Sequence, residues 1–349
     1  MADDTPRPHK RRSRYRGKNP RAFHEKYKEL DPLRYGADVE KVLSSGKTPA
    51  GSHRPIMVDE ILECLRPVPG EMAVDATLGG GGHARAILER ILPAGRLIGL
   101  DVDPIELPRT EARLRSEGFG PDVFTVHHSN FAGLARVLAG EGLVGANVIL
   151  ADLGVSSMQL DNPDRGFGYK ESGALDMRMN PHKGLPASQV LARTPVDRLA
   201  RLLEANADEP HADSIAAALK ATPIETTGDL HEVVCEALTA LRLPEEEKKA
   251  SVRRTFQALR IAVNDEFATL DWLLRSLPEL LAPGGRVAIL TFHSGEDRRV
   301  KKALQSGHRD GLYASISGEV IRPSRDEVRA NPRASSAKLR WAIRSAPQT

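Results

Sequence analysis

The chain has 349 residues, 40% of them apolar and 28% charged, which is enough for a real core and for about two domains or one domain with a large insertion. Net charge is only +3, yet residues 7–28 carry +9 and residues 298–344 carry +8, leaving −14 elsewhere, and such segregation favours a polyanionic partner. No apolar run approaches the roughly 18 residues of a membrane span and the basic N-terminus has no apolar h-region, so a soluble cytoplasmic protein is expected.

Residues 1–50 are polar, basic and punctuated by proline, and read as a partly disordered extension with a weakly helical patch at 23–30. From Glu71 short apolar runs alternate with helical patterns: strand 72–76 and helix 84–92, strand 96–100 and helix 105–116, strand 123–127 and helix 131–138, then strand 146–150. This alternation predicts an α/β fold, a doubly wound parallel sheet with helices on both faces. It then stops, and residues 186–243 read as short helices (197–204, 212–219, 230–241) of an inserted helical subdomain. The sheet resumes after one helix over 255–281, with Pro283-Gly284-Gly285 as a turn and 286–292 as the fifth strand. Ser294 and Asp297 stand in capping-box spacing at the start of a basic helix. Segments 314–321 and 338–343 predict an antiparallel hairpin at the sheet edge. The implied organisation is an extension (1–50), a first core part holding the cofactor site (51–160), a substrate-recognition insertion (161–255) and a second core part with a basic end (256–349). Cys64 and Cys235 have no ligand or disulfide spacing, and no metal is expected.

Two strand ends carry chemistry. The run Val148, Ile149, Leu150 leads to Asp152 and then to a long polar loop through Gly168, the edge where open α/β sheets hold ligands. The first strand runs into Asp75-Ala76-Thr77-Leu78-Gly79-Gly80-Gly81-Gly82-His83 before a helix, so the backbone can approach a ligand closely and offer free N–H groups. No Gly-Lys-Ser/Thr follows, which argues against a nucleoside triphosphate. Gly79, Gly81 and Ala84 satisfy a dinucleotide-type spacing, and Asp101 ends the second strand where a ribose-binding acid belongs, so a dinucleotide or another adenosine cofactor fits.

The blocks DATLGGGGH, LDVDP, HHSNF, ILADLGVSSMQLDNPDRGFG, LDMRM, RTFQALRIAVNDE, PGGRVAILTFHSGEDRRVK and NPRASSAKLR, in this order across residues 53–344, resemble the ribosomal RNA small subunit methyltransferase H family. The resemblance implies a class I S-adenosylmethionine methyltransferase with an inserted helical subdomain, acting on N4 of a cytidine in the decoding region of 16S rRNA in the small ribosomal subunit, with a homodimer left open. It further implies that S-adenosylmethionine meets Gly81, Gly82, His83, Asp101, Phe131, Asp152 and Gln159. Asp101 suits the ribose hydroxyls, Phe131 the adenine, and Asp152 is also the first candidate for polarising the acceptor amine. Around the acceptor the resemblance places Arg165, Asp176, Arg178 and the helix face Gln257, Arg260, Asn264, which lies opposite the stripe Phe256, Leu259, Val263, Phe267, and His293, ending the fifth strand at the same sheet edge as Asp152, is a further candidate by position. The chain departs from the family pattern at Gly295, Ser335, Ala207-Asp208-Glu209 and Val252-Arg253, and its extension is expected to be an addition. Alternatives are a paralogue modifying another RNA site and a non-catalytic, cofactor-binding assembly factor.

Overall fold

The computed structural model describes Tyr27 and residues 55–346. The chain separates into two units at His53/Arg54, and the sheet with its helices belongs to the second. The extension, including its helical patch, otherwise lies outside the described residues. In chain order the elements are α1 (Val58–Leu65), β1 (Met72–Asp75), α2 (Gly82–Ile91), β2 (Arg96–Asp101), α3 (Glu106–Ser116), β3 (Phe124–His128), α4 (Leu134–Gly140), β4 (Ala146–Asp152) and α5 (Ser157–Asp161). There follow α6 (Ala187–Arg193), α7 (Val196–Ala207), α8 (Ala212–Ala221), α9 (Thr227–Ala240), α10 (Glu245–Asn264), α11 (Glu266–Leu280), β5 (Leu281–Thr291), α12 (Ser294–Arg309), β6 (Tyr313–Ile316), α13 (Arg325–Ala330) and β7 (Lys338–Arg344).

The strands form one sheet in the order β3-β2-β1-β4-β5-β7-β6, with β1 to β5 parallel and β7 antiparallel to both neighbours. Strand residues alternate between two cores. Val74, Ile98, Ile149 and Ile289 pack against α4, α11 and α12, whereas Ala73, Leu97, Val148 and Leu290 pack against α1, α2 and α3. The result is the three-layer arrangement that near-continuous apolar strands require. Helices α6 to α10 gather round a third core including Leu199, Leu203, Ile215, Leu230, Val234 and Leu259. Because the chain leaves β1 to one side and β4 to the other, the adjacent ends of these strands open a crevice at the switch point.

Three local expectations are corrected. The helix expected over 255–281 is two helices, α10 beginning at Glu245 and breaking at Asp265, whose φ of 50° is left-handed. Aspartate is among the few non-glycine residues that enter that region readily. The cap of α12 is His293, not Ser294: His293 Nδ1 accepts from the Glu296 N–H at 3.4 Å, and Glu296 Oε2 accepts from the Phe292 N–H at 2.8 Å. Asp297 instead pairs with Arg340 on β7 at 2.7 Å. The edge hairpin forms, but β6 ends at Ile316, and Ile321 makes only an isolated bridge to Leu339.

Candidate active site

The glycine loop between β1 and α2 is pinned from below. Gly79 N–H donates to Asp101 Oδ2 at 2.7 Å, Thr110 Oγ1 on α3 donates to Gly79 O at 2.5 Å, and Arg113 donates to Gly80 O. Gly81 caps α2 at φ 68°, and a Cβ there would stand 2.7 Å from Thr110 Cγ2. A Cβ on Gly80 would meet nothing within 4 Å, so the loop's other side is open. The residues of this run are therefore set by close approach on one side and by open space on the other.

Three acids end three neighbouring strands: Asp75 on β1, Asp101 on β2 and Asp152 on β4. Thr77 ties two of them together, its N–H donating to Asp75 Oδ1 at 3.1 Å and its hydroxyl oxygen accepting from the Asp152 N–H at 2.6 Å. His83, in the first turn of α2 and buried, brings Nε2 to 3.5 Å from Asp152 Oδ2. Both His83 ring nitrogens and Asp152 Oδ1 are buried without a hydrogen-bond partner among the described residues. Burial works against charge on His83, yet the carboxylates of Asp152 and Asp75 outweigh it and hold the imidazole above its ordinary pKa. Burial raises Asp101 against the opposing N–H groups of Asp103 and Gly79. Burial also pushes Asp75 up to about 6, with His83 and the Thr77 N–H opposing.

That shift has a consequence for stability. The unfolded chain releases the Asp75 proton near its ordinary value of 3.8 and the folded chain only at about 6, so rising pH through this window favours unfolding. Asp75→Asn is expected to gain on the order of 3 kcal/mol over wild type between pH 4 and pH 8. Urea unfolding at both pH values measures it, and a pH-independent difference would refute it.

Asp103, which sequence reasoning did not single out although it stands in LDVDP, is the hub beneath this loop. Its N–H donates to Asp101 Oδ1 at 2.9 Å, while its Oδ2 accepts from both Gln159 Nε2 and Arg165 Nη1 at 2.7 Å. It is 1% exposed. Gln159 closes a reciprocal capping box with Ser156 at the start of α5, so the loop after β4 is docked onto the loop after β2. Phe131, opening a 3-10 turn capped by Asn130, is half-buried against the α4 and α11 side of the core.

The polar residues expected around the acceptor are brought together, mostly by bonds to one another. Arg165 Nη2 donates to the carbonyls of Arg178 at 3.2 Å and Met179 at 2.8 Å. Asp176 and Arg178 form an ion pair at 2.6 Å, and Asn264 brackets the same loop by accepting from Met179 N–H and donating to Met177 O, both at 2.8 Å. Gln257 reaches Asn206 O on α7 at 3.4 Å. Arg260 meets both oxygens of Glu266, at 2.7 and 2.8 Å, across the break at Asp265, and its guanidinium faces Gly154 in the loop that follows Asp152. His293 Nε2 lies 3.1 Å from Glu296 Oε1. Glu266, His293 and Glu296 bring three ligand-type atoms within 4.8 Å, but Arg260 already occupies both Glu266 oxygens and supplies the positive charge a cation would bring.

A sheet in this strand order, with an antiparallel β7 and a glycine loop flanked by strand-end acids at the switch point, defines a class I methyltransferase fold. The family model described as the MraW methylase family matches residues 50–345, and the chain belongs to that family. It is 48% identical over 346 residues to "Ribosomal RNA small subunit methyltransferase H 1" of Lachnoclostridium phytofermentans, covering 97% of this chain and 93% of that one. It is 49% identical to "Ribosomal RNA small subunit methyltransferase H 2" of Acholeplasma laidlawii, covering 96% and 98%. For "Ribosomal RNA small subunit methyltransferase H" of Heliobacterium modesticaldum the identity is 42%, covering 83% and 97%. A match over 97% of the chain must include most of residues 1–50, so the expectation that the extension is an addition is narrowed: the Lachnoclostridium relative has a counterpart to most of it, while the Heliobacterium relative, covered to 97% of its own length, matches only 83% of this chain.

Proposed function

We propose that this protein transfers a methyl group from S-adenosylmethionine to the exocyclic N4 of a cytidine in the decoding region of 16S rRNA, acting in the cytoplasm on the small ribosomal subunit. The names of its relatives support the rRNA substrate. The observation that carries the chemistry is the switch point itself, where Asp152 and Asp75 act on one buried imidazole and Asp101 holds the open glycine loop beside them. An excess of buried carboxylate matches a cofactor whose ammonium and sulfonium are both cationic, and the partly exposed Asp152 side chain, whose Oδ1 has no partner among the described residues, keeps acceptor capacity. Among the described residues no helix is long and apolar enough to cross a membrane.

In this reading Gly81, Gly82 and His83 hold the amino-acid end of the cofactor, Asp101 accepts the ribose hydroxyls through lone pairs that its two backbone donors leave free, and Phe131 lies against the adenine. Gln159 holds the β4 loop to Asp103. When bound, the cofactor supplies an electrophilic methyl group. Asp152 accepts an N–H of the acceptor amine, which turns the nitrogen lone pair toward that methyl, and takes this proton when N4 becomes methylated. Cytosine N4 is a weak nucleophile because its lone pair is delocalised, so alignment is the main contribution, worth up to about 7–11 kcal/mol in favourable cases. Arg165, Asp176, Arg178, Gln257, Arg260 and Asn264 shape the acceptor wall rather than offering free charge, and His293 stands at its β5 edge. The target base must leave its stack to enter.

Labelled methyl transfer to unmodified 30S subunits and to naked 16S rRNA, with the product nucleotide mapped by mass spectrometry, tests the proposal. N4-methylcytidine in the decoding region supports it; another position makes the protein a paralogue with a different target, and absence of transfer despite cofactor binding refutes catalysis. Asp101→Ala is expected to weaken S-adenosylmethionine binding about 10- to 100-fold, measured calorimetrically, because two hydroxyls lose a charged acceptor. Unchanged affinity would remove Asp101 from the ribose site.

A further inference from the structure

The outer face of α11 and α12 has a composition that the transfer site does not explain. Trp272 on α11 is 59% exposed, unusual for so large an apolar side chain, and the Arg275 guanidinium lies 5.1 Å from its ring centroid. The two helices run side by side. Arg299 Nη1 of α12 lies 2.7 Å from Asp271 Oδ2 of α11, and its guanidinium sits 4.2 Å over the Phe267 ring. Both start at the site edge, where Glu266 and Glu296 converge with His293. Since Asp271 and Arg299 stand level, the helical repeat carries Arg275, four residues on, and Lys302, three residues on, to the exposed sides of the two neighbouring helices. Lys302 and Arg309 share an exposed α12 face with Arg298, which pairs with Asp208. Among the described residues no carboxylate pairs with Arg275, Lys302 or Arg309, and Glu279 is the exposed acid on this side of α11.

We propose that this face is a docking platform for unpaired nucleotides flanking the target base, one base stacking on Trp272 while Arg275, Lys302 and Arg309 hold neighbouring phosphates. The inference rests on the RNA-methylation reading. An exposed indole beside Arg275, on a face where cations outnumber the single acid Glu279, suits a ligand with planar faces and an anionic backbone, the combination by which single strands are held. Trp272 lies six residues into α11, about 9 Å along the axis from the site edge. A strand whose target base enters the pocket is thus carried directly onto the platform.

The test uses the full chain and a short single-stranded oligoribonucleotide. In a Trp341→Phe background, which leaves Trp272 as the sole tryptophan, RNA is expected to quench the indole fluorescence. Trp272→Ala should weaken RNA binding about 5- to 100-fold with cofactor affinity unchanged, and Trp272→Phe should restore most of it. Arg275→Ala with Lys302→Ala should reduce the slope of log affinity against log salt by about 1.4. No quenching together with unchanged RNA affinity overturns the platform, as does a Trp272→Ala variant that loses only self-association. Wild-type transfer to 30S subunits with an unaffected Trp272→Ala variant rejects the platform alone. Weakened RNA binding by that variant, with no transfer by wild type, rejects the proposed activity alone.

Discussion

Replacing Asp152 by alanine is expected to lower kcat by about a hundredfold or more while changing S-adenosylmethionine affinity by less than about tenfold. Asp152 ends β4 at the switch point, its backbone N–H is fixed by the Thr77 hydroxyl and its Oδ2 faces His83, while its side chain is partly exposed, so the carboxylate has acceptor capacity left for a substrate. On the proposed role, alanine removes the acceptor of the amine N–H and leaves the pinned glycine loop and Asp101 in place, so the loss should fall on turnover. Asparagine sharpens the test, because its amide keeps a neutral acceptor. If partial activity returns with Asn and not with Ala, orientation dominates; if neither variant loses turnover in single-turnover assays, Asp152 has no part in the transfer.

Asp103→Ala is expected to destabilise the protein by about 3–5 kcal/mol, the range found when one member of a buried ion pair is removed. The Arg165 side chain is 9% exposed and would keep its charge with only carbonyls for company, while Gln159 would lose its anchor. Urea unfolding measures the effect. The double variant Asp103→Ala, Arg165→Met should recover a large part of it, since the orphaned charge is then gone. Equal losses in the single and double variants would show that the pair is not the cause. Cofactor affinity should fall as well, because the Asp103 N–H holds one oxygen of Asp101.

The alternation of apolar runs with helical segments made β1 to β5 legible, since strands buried on both faces have little choice of composition. Asp101 and Asp152 were visible as acids at the ends of such runs, whereas Asp75, written at the head of the glycine run, was not singled out. Asp103 was not, because its meaning depends on Gln159 and Arg165, 56 and 62 residues away. The polar face Gln257, Arg260, Asn264 was visible as periodicity, but periodicity cannot say whether a polar stripe meets RNA or, as here, other parts of the same chain. Capping was half legible. The spacing of Ser294 and Asp297 suggested the right turn, while the bonds are made one residue earlier by His293 and Glu296, a pair that side-chain propensity does not favour.

A straight helix from Glu245 to Leu280 would be a rod of about 54 Å, longer than a small domain is wide. Its second half could not lie along the sheet while its first half packed among α7 and α9. Asp265 cuts that rod with one pair of dihedral angles, and Arg260 grips Glu266 across the cut, joining residues that a continuous helix would place on different sides. The heading of the whole helical insertion relative to the sheet is therefore written in a single left-handed aspartate and its adjoining ion pair.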